Sequence, residues 1–258
     1  MAIVVAVTNQ KGGVGKTTSA LCLADGLKNR GYRVLLIDTD QQQSSTKQYK
    51  AVVQDTYTLY DVLTGACELD SAIQKLDRGD IVAADDLLKK IDVALEGMKK
   101  YLHMKKAIQE MKTVYDFIIL DCPPALDTVL LNNLTACDRV LVPITCEIMS
   151  LEGLTALSST LDSVREVTNP NIKVVGLLLI KYKKHTRLTK QLTAQLEVFE
   201  DLFDTKTFRS RIRESTALAE AQTLRQSVFE YAPKSTTAQD YDSFVDEFLS
   251  ILGGEDNG

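Results

Sequence analysis

Apolar stretches of four to nine residues recur along this chain, and segments with apolar residues at helical spacing lie between them. Such alternation is typical of a parallel sheet whose two faces are both covered by helices. The sequence therefore predicts an α/β fold with a doubly wound, mainly parallel sheet. The predicted strands are residues 3–8, 33–37, 81–84, 116–120, 139–142 and 172–180.

Three helical regions stand out between and after these strands. The first helix follows the first strand and is closed by Gly31, a residue suited to a helix C-terminus. Residues 86–113 are rich in Lys, Leu and Met and predict one long or broken helix, and residues 236–252 predict an amphipathic one. Gly253 and Gly254 are expected to open a short polar tail. Because no Pro-, Ser- or Gly-rich linker divides the chain, we expect one domain over residues 1–258.

A glycine-rich loop joins the first strand to the first helix. Its glycines let backbone N–H groups approach phosphates, and the helix N-terminus adds a positive dipole end. In this pattern Lys16 reaches the β- and γ-phosphates of a nucleotide, and the Thr17 hydroxyl ligates Mg²⁺. The loop departs from the strict motif at Gln10, where glycine is required, and carries an additional lysine, Lys11. The candidate nucleotide-binding residues are Lys11, Gly12, Gly13, Val14, Gly15, Lys16, Thr17 and Thr18.

Three aspartates follow buried strands of the predicted sheet. Asp38 and Asp40 end the second strand, and Asp121 ends the strand over residues 116–120. Ligands of open α/β sheets bind beyond the carboxyl ends of the strands, so these side chains should gather near the glycine loop. Asp121 has the form of an acid that holds Mg²⁺ through water, and either Asp40 or Asp38 could position a water for hydrolysis.

Composition narrows the class of protein. The chain has 258 residues, a net charge of −5 and 45% hydrophobic residues, enough for a large core. Its five cysteines are scattered without a C-x-x-C pair, and the chain has only two histidines. This composition argues against a zinc site. Since neither a leader peptide nor a membrane-length apolar run is present, we expect a reduced, cytoplasmic protein without membrane contact.

Charge is distributed unevenly along the chain. Residues 181–213 contain nine Lys or Arg against four acids, whereas residues 235–258 contain six acids and no Lys or Arg. A basic segment inside an acidic chain indicates contact with nucleic-acid phosphates. The arginines at 209, 211 and 213 alternate, so an extended strand would present them on one face. The candidate DNA-binding residues are Lys183, Lys184, Arg187, Arg209, Arg211 and Arg213.

Several motifs together resemble the ParA/MinD family of deviant Walker-A ATPases. They are N-Q-K-G-G-V-G-K-T-T, L-L-I-D-T-D-Q-Q, D-F-I-I-L-D-C-P-P-A-L, C-E-I-M-S-L-E-G-L at 146–154 and L-A-E-A at 218–221. The resemblance runs from residue 2 to about residue 250. The first strand begins almost at the start of the sequence, so within this family the chain resembles the short, Soj-like ParA type.

The resemblance implies an ATP-driven DNA-partitioning switch with a P-loop NTPase fold. ATP and Mg²⁺ would close a homodimer that binds double-stranded DNA without sequence preference on the nucleoid, and a ParB-like partner would stimulate slow hydrolysis. Lys11 matches the signature lysine that crosses to the partner subunit's phosphates. Asp40 matches the acid required for hydrolysis, Asp38 its neighbour in the first switch, and Asp121 the second switch.

Two stretches depart from the family pattern. The family often has D-x-D-P-Q-G after the second strand, whereas this chain has Gln41, Gln42 and Gln43 after Asp40. Loss of proline and glycine is expected to change how this switch bends. Lys181 lies in a region that touches the base in this family, and the family often has another residue at this position. Specificity for adenine is therefore implied by the resemblance and not by a particular residue of this chain.

Other functions fit the sequence less well. A MinD-like membrane ATPase needs a basic amphipathic C-terminal helix, and the last helix here is acidic. An iron–sulfur reductase needs a second suitably placed cysteine beside Cys122. A non-hydrolysing ATP-dependent DNA clamp conflicts with Asp40, and a ParA-like ATPase that positions a protein cargo over the nucleoid stays open.

Overall fold

Eight strands form one sheet in the computed structural model, which describes residues 1–145, 150–182 and 196–255. The motif over residues 146–154 and the candidate residues Lys183, Lys184 and Arg187 therefore lie wholly or partly outside the described residues. The strands are β1 (Ile3–Val7), β2 (Val34–Asp38), β3 (Ile73–Leu76), β4 (Gly79–Val82), β5 (Phe117–Asp121), β6 (Arg139–Thr145), β7 (Lys173–Tyr182) and β8 (Thr207–Arg213).

Helices connect these strands. The described α-helices are α1 (Lys16–Asn29), α2 (Ser44–Tyr49), α3 (Leu59–Thr64), α4 (Ile91–Ala94), α5 (His103–Ala107), α6 (Thr128–Ala136), α7 (Ser150–Val167), α8 (Thr216–Thr223), α9 (Val228–Tyr231) and α10 (Thr236–Glu255). Residues 196–203 are also helical. Short 3-10 turns cover Leu69–Ala72, Asp86–Lys90, Met98–Tyr101 and Met111–Thr113.

The sheet has the strand order β3-β4-β2-β5-β1-β6-β7-β8, and only the β3–β4 pair is antiparallel among the described strands. This confirms the predicted mainly parallel α/β fold and its six strands. The sequence analysis did not find β3 and β8, which lie at the two edges of the sheet. Edge strands carry fewer buried residues, so their apolar pattern is weaker.

Successive side chains of each central strand point to opposite faces of the sheet and pack into two separate hydrophobic cores. Val4 and Ala6 of β1 belong to the core with Leu63, Met104 and Leu130, from helices α3, α5 and α6. Val5 and Val7 belong to the other core, with Leu23 of α1 and Phe244 and Phe248 of α10. Both faces of the sheet are covered, which explains why its central strands read as continuous apolar runs.

Helix α1 is bounded by two glycines in the left-handed region. Gly15 precedes it with φ 74°, and Gly31 follows its C-cap with φ 86°. Gly31 N–H donates to Lys28 O at 2.9 Å, and Tyr32 N–H donates to Leu27 O at 3.2 Å. This pair of bonds is a Schellman motif, as expected for a helix closed by Gly31.

Two helix predictions are refined by the structure. Residues 86–113 form the broken version of the predicted helix, a chain of short turns with Gly97 at φ 73°. Helix α10 continues through Gly253 and Gly254 to Glu255, so the polar tail does not open at Gly253 as predicted.

The acidic helix α10 closes the edge of the sheet. Glu247 accepts the backbone N–H groups of Arg209 and Ser210 at 2.7 and 2.9 Å, and Asp240 accepts that of Arg213 at 2.9 Å. Unpaired N–H groups of an edge strand attract other strands, and here carboxylates occupy them. The acids of residues 235–258 therefore have a structural use on β8.

Gly176→Ala tests the fit between β7 and β8. A Cβ at Gly176 would overlap the ring of Phe208, lying 2.8 Å from Cδ2. We expect the variant to lose roughly 1–3 kcal/mol of unfolding free energy, the usual effect of overpacking a core. Urea titration followed by circular dichroism measures this, since the chain has no Trp.

Gly254→Ala is the matched control, because a Cβ there meets nothing within 4 Å. It should not lower the unfolding free energy, and the higher helix propensity of Ala should raise it by at most about 1 kcal/mol. Equal urea midpoints for Gly176→Ala and the parent would show that the Phe208 ring is not confined.

Candidate functional site

The glycine loop over residues 8–15 is held by two side chains that precede its glycines. Asn9 Nδ2 donates to Pro143 O at 2.8 Å, while Asn9 Oδ1 accepts the Lys11 N–H at 3.1 Å. Gln10, at the position where the strict motif has glycine, donates from Nε2 to Thr160 Oγ1 of α7 at 3.0 Å. The departure at Gln10 thus provides a contact that ties the loop to a helix.

The last glycine of the loop is required by its backbone conformation. Gly13 and Gly15 each have φ 74°, where a residue with a side chain is strained. A Cβ on Gly15 would also overlap Ile180 Cδ1 of β7. The backbone can therefore turn closely into α1, leaving its first N–H groups facing the loop.

Lys16 is the first residue of α1 and lies across the loop. Its side chain is largely buried, and Nζ donates to Lys11 O at 3.0 Å. Burial lowers the pKa of this ammonium, while the negative charges of Asp121 and Asp40 act in the opposite direction. Lys16 thus places its ammonium group beside the glycine loop, at the point where phosphates are predicted.

The sheet register brings Asp38 and Asp121 together. Val7 of β1 pairs with Asp121 of β5, and Asp121 pairs with Asp38 of β2. Since these three strands are adjacent and parallel, both carboxylates lie beside the end of the strand that leads into the glycine loop. The predicted gathering of Asp38 and Asp121 at this edge is present in the structure.

Hydroxyl groups hold both carboxylates. Asp121 accepts from Ser45 Oγ at 2.7 Å and from Thr17 Oγ1 at 3.3 Å. Asp38 Oδ2 accepts the N–H and the hydroxyl of Thr46 at 2.7 and 2.8 Å. The short helix α2 therefore supplies donors to both acids through consecutive residues.

Burial is the main influence on the charge of these acids. It raises the pKa of Asp121, and the negative charge of Asp38 raises it further, while the Ser45 and Thr17 hydroxyls act in the opposite direction. Burial likewise raises the pKa of Asp38, partly offset by its bonds from Thr46. A cation at this place would favour the ionised forms.

Asp40 occupies a tight turn between β2 and α2. Its N–H donates to Asp38 Oδ1 at 3.1 Å, and its Oδ1 accepts the Gln42 N–H at 2.9 Å. Gln43 then adopts φ 58° and ψ 38°, a left-handed conformation. It stands where the family often has glycine, so this chain adopts a left-handed bend there without a glycine.

A buried polar chain connects the two strand ends behind the carboxylates. Thr39 Oγ1 donates to Asp121 O at 2.7 Å, and Asn133 Nδ2 of α6 donates to Thr39 Oγ1 at 2.7 Å. Asn133 Nδ2 also lies 3.4 Å from Cys122 Sγ. The positions of Thr39 and Asp121 are thus fixed relative to each other.

A cavity of about 210 Å³ opens beside the start of α1. Apolar side chains of Ile180, Ile212 and Leu218 form part of its wall, and Glu214 and Ser215 add polar groups. Lys181, with φ 51°, lines the cavity and donates from Nζ to Gly13 O at 3.2 Å. Its combination of apolar walls with a few polar groups is typical of a small-molecule site.

The three arginines of β8 have different surroundings. Arg209 is exposed, whereas Arg211 lies over the Tyr182 ring at 5.0 Å and donates to its hydroxyl at 3.2 Å. Arg213 forms a two-bond ion pair with Asp240 at 2.6 and 2.9 Å, and it also lines the cavity. The three arginine side chains therefore do not form one shared basic surface.

Several site residues were not found from the sequence. Ser45, Thr39, Asn133 and Gln222 act through hydrogen bonds to partners far away in the chain, and Thr46 binds Asp38, eight residues before it. The S-S-T run that follows the second predicted strand was the available signal for Ser45 and Thr46. Asn133 and Gln222 lie on helices, and no local pattern marks them.

Fold and loop together define the class of protein. A glycine loop joins a buried parallel strand to a helix that begins with Lys16 and Thr17, and Asp121 ends the neighbouring strand. This arrangement is that of a P-loop nucleoside triphosphatase.

Sequence comparison supplies the family. Residues 2–174 match a family model described as an AAA domain. The chain is 34% identical over 253 residues to the chromosome partitioning protein ParA of Caulobacter vibrioides, covering 96% of this chain and 94% of that protein. It is 33% identical over 247 residues to the sporulation initiation inhibitor protein Soj of Bacillus subtilis, covering 93% and 96%. The chain belongs to the ParA/MinD family of deviant Walker-A ATPases, among its Soj-like members.

Solved structures share the whole fold. Cobyrinic acid a,c-diamide synthase of Mycobacterium smegmatis with bound ADP and magnesium superposes with a TM-score of 0.85 at 28% identity, covering 98% of this chain and 96% of that chain. A plasmid partition protein of Borrelia burgdorferi bound to AMPPNP, itself described as putative, gives a TM-score of 0.79 at 25% identity, covering 99% and 100%.

Within the described part of the chain, no helix combines the length and apolar character needed to cross a bilayer.

Asp121→Asn tests the effect of burying this acid on stability. The folded protein keeps a proton on Asp121 at pH values where the unfolded chain has lost it, so the parent's unfolding free energy should fall as pH rises from about 4 through the raised pKa. Asn has no such proton. We expect the variant to exceed the parent by roughly 1–3 kcal/mol at pH 8 and the difference to shrink toward pH 4.

Thermal unfolding with a chelator and without nucleotide measures this difference. Asp38→Asn is the control, because its new amide would face the Thr46 and Asp40 N–H groups and should destabilise the protein at both pH values. Parallel stability-against-pH curves for the parent and Asp121→Asn would contradict the expectation.

Proposed function

We propose that this protein is an ATP-dependent DNA-partitioning ATPase that works as a single domain over residues 1–258. The observation that carries the proposal is the arrangement of Lys16, Thr17 and Asp121 around one glycine loop, with Asp40 near enough to affect the pKa of Lys16. The ParA relative's name, a chromosome partitioning protein, supports the biological role.

The loop and the cavity together would bind ATP. Backbone N–H groups from Gly12 to Thr18 and the Lys16 ammonium would hold the phosphates, as glycine loops before a helix do. The adjoining cavity, lined by Ile180, Lys181 and Leu218, would take the nucleoside. The ADP and AMPPNP in the two superposed structures support this assignment.

Oxygen donors at the loop fit Mg²⁺. Thr17 Oγ1 would be a direct ligand, and Asp121 would hold the ion through water, with Asp38 close by. Among the described residues no group of three His, Cys, Asp or Glu could hold a metal by itself. This matches Mg²⁺, which uses few protein carboxylates and takes further oxygens from phosphates and water. When bound, the ion neutralises charge on the transferring phosphoryl group.

Hydrolysis would depend on Asp40 and on two lysines. Asp40, held in its turn by the Gln42 N–H, would accept a hydrogen bond from the attacking water and orient it. Lys16 would stabilise the negative charge that builds on the γ-phosphoryl, and Lys11 of the partner subunit would add a second positive charge. The resemblance to the deviant Walker-A ATPases supports this use of Lys11.

Because Lys11 of one subunit would contact the nucleotide bound to the other subunit, the bound nucleotide would control dimerisation. ATP would close the homodimer, and hydrolysis would open it again. A slow basal rate, raised by a ParB-like centromere-binding or adaptor protein, would let the partner time the release. Located on the nucleoid in the cytoplasm, such a cycle would segregate a plasmid or chromosome.

Double-stranded DNA would bind along the outer strand β8 and the segment after β7. Arg209 is exposed and Arg211 is partly so, and Lys183, Lys184 and Arg187 follow β7 directly in the sequence. Contacts to phosphates give affinity without sequence preference. Arg213 contributes less in this proposal, because Asp240 already binds its guanidinium.

Asp40→Ala should trap the ATP-bound dimer. Without a group to orient the water, the γ-phosphate persists, so Lys11 of each subunit stays engaged. Light scattering should show a lasting dimer with ATP and a monomer with ADP. Lys16→Ala, which lacks the phosphate-binding cation, should stay monomeric with either nucleotide. A variant Asp40→Ala with the parent's turnover would assign the water-positioning role to Asp38 or another residue.

Removing Arg209 and Arg211 together should weaken DNA binding by the ATP-bound dimer. Each lost phosphate contact lowers the slope of log affinity against log salt by about 0.9, so two contacts per subunit remove roughly 3–4 from the dimer's slope. Titration of an unrelated duplex at several salt concentrations measures this.

Lys99→Ala with Lys105→Ala is the control, since both lysines are exposed and the charge change is equal. The slope should then stay near the parent's. ATP-dependent dimerisation is checked first in both double variants. Unchanged affinity and slope after loss of Arg209 and Arg211 would exclude β8 as the DNA surface.

A further inference from the structure

Gln222 of α8 connects three elements at the border of the nucleoside cavity. Its Nε2 donates to Thr18 Oγ1 of α1 at 2.8 Å, and its backbone O accepts from Gln48 Nε2 of α2 at 2.9 Å. Both Gln222 and Thr18 also line the cavity. The residue thus lies between the cavity, the first turn of α1 and the helix that donates hydrogen bonds to Asp38 and Asp121.

The direction of the bond to Thr18 has a chemical consequence. A threonine hydroxyl has one proton to donate and two lone pairs that accept. Since the amide of Gln222 donates to Thr18 Oγ1, the hydroxyl proton of Thr18 remains available for another acceptor. Thr18 lies in the first turn of α1, where the helix dipole and free N–H groups favour a negative group.

We propose that Gln222 is a positioning residue that turns the Thr18 hydroxyl proton toward the bound phosphates. The inference rests on the proposed nucleotide site. It assigns Gln222 a hydrogen-bonding task that acts through Thr18, with no direct contact to the phosphates.

Gln48 holds Gln222 in place for this task. Gln48 follows Ser45 by three residues on α2, and Ser45 donates to Asp121. The Gln48 bond goes to the backbone of Gln222, so it persists when the side chain of Gln222 is changed. Substitutions at Gln222 therefore change the bond to Thr18 and the cavity wall but leave the bond from Gln48, and the Thr18→Val background separates the first effect from the second.

Gln222→Glu reverses this bond with almost no change in shape. A carboxylate only accepts, so it would take the Thr18 proton away from the phosphates. We expect the Kd of ADP with Mg²⁺, measured by calorimetry, to rise about ten-fold or more. Gln222→Met removes the donor without reversing the bond and should raise the Kd about two- to three-fold.

Gln226→Glu is the charge control. Gln226 is exposed four residues further on, so the same charge is added nearby without touching Thr18. Its Kd should stay within about two-fold of the parent's, as expected for a screened surface charge.

A double-mutant cycle with Thr18→Val decides whether Gln222 acts through Thr18. In the Thr18→Val background, Gln222→Glu should weaken ADP binding no more than Gln226→Glu does. A ten-fold loss that persists there would mean that Gln222 acts on the nucleotide itself, and the positioning role would be overturned. The positioning role would also be overturned if the single variant Gln222→Glu, with Thr18 intact, bound ADP as tightly as the parent does.

Two further measurements distinguish a failure of the Gln222 proposal from a failure of folding or of the nucleotide site. Thermal unfolding without nucleotide checks each variant; if Gln222→Glu does not fold, Gln222→Met in the two backgrounds decides by the same criterion. If the parent itself does not bind ADP with Mg²⁺, the proposed nucleotide site fails, independently of Gln222.

Discussion

Two carboxylates buried side by side, Asp38 and Asp121, impose the strongest constraint on this structure. They lie opposite each other on adjacent strands, and a buried charge is tolerated only when donors or opposite charges surround it. Thr17, Ser45 and Thr46 supply those donors. The start of α1, helix α2 and the end of β5 must therefore meet at one place. The arrangement that satisfies the acids is also the one that presents oxygens to a hydrated cation.

Helix α2 depends on these contacts more than on its own sequence. It has six residues, too few for a stable isolated helix, and left-handed Gln43 and Lys50 flank it with φ near 58° and 57°. Its conformation is held by the bonds to the acids on one side and by Gln48 on the other.

Opposite charges that are separated in the sequence are paired in the fold. The acidic helix α10 lies against the basic strand β8, where Asp240 binds Arg213 and Glu247 binds backbone N–H groups. Arg30 of the α1 C-terminus binds Asp242 and Asp246 in addition. Much of the local charge contrast thus closes an exposed sheet edge, and the basic surface on β8 is smaller than a count of arginines indicates. Arg209 and Arg211 carry what is left of it.

The sequence by itself determined the fold class, the central strands and the glycine loop. These features are written in local patterns: apolar runs that report burial on both faces, and glycines at the two positions of φ 74°. The same logic placed Asp38 and Asp121 at one edge, because parallel strands end there together. Tertiary structure alone decided the edge strands β3 and β8, the partner of Arg213, and the roles of Ser45, Asn133 and Gln222. The strand β3 pairs with the adjacent β4 across a short turn, and it was missed because its side chains are only partly buried or exposed. The others depend on contacts between residues distant in the chain, and spacing along the chain carries no record of which donor will meet which acceptor.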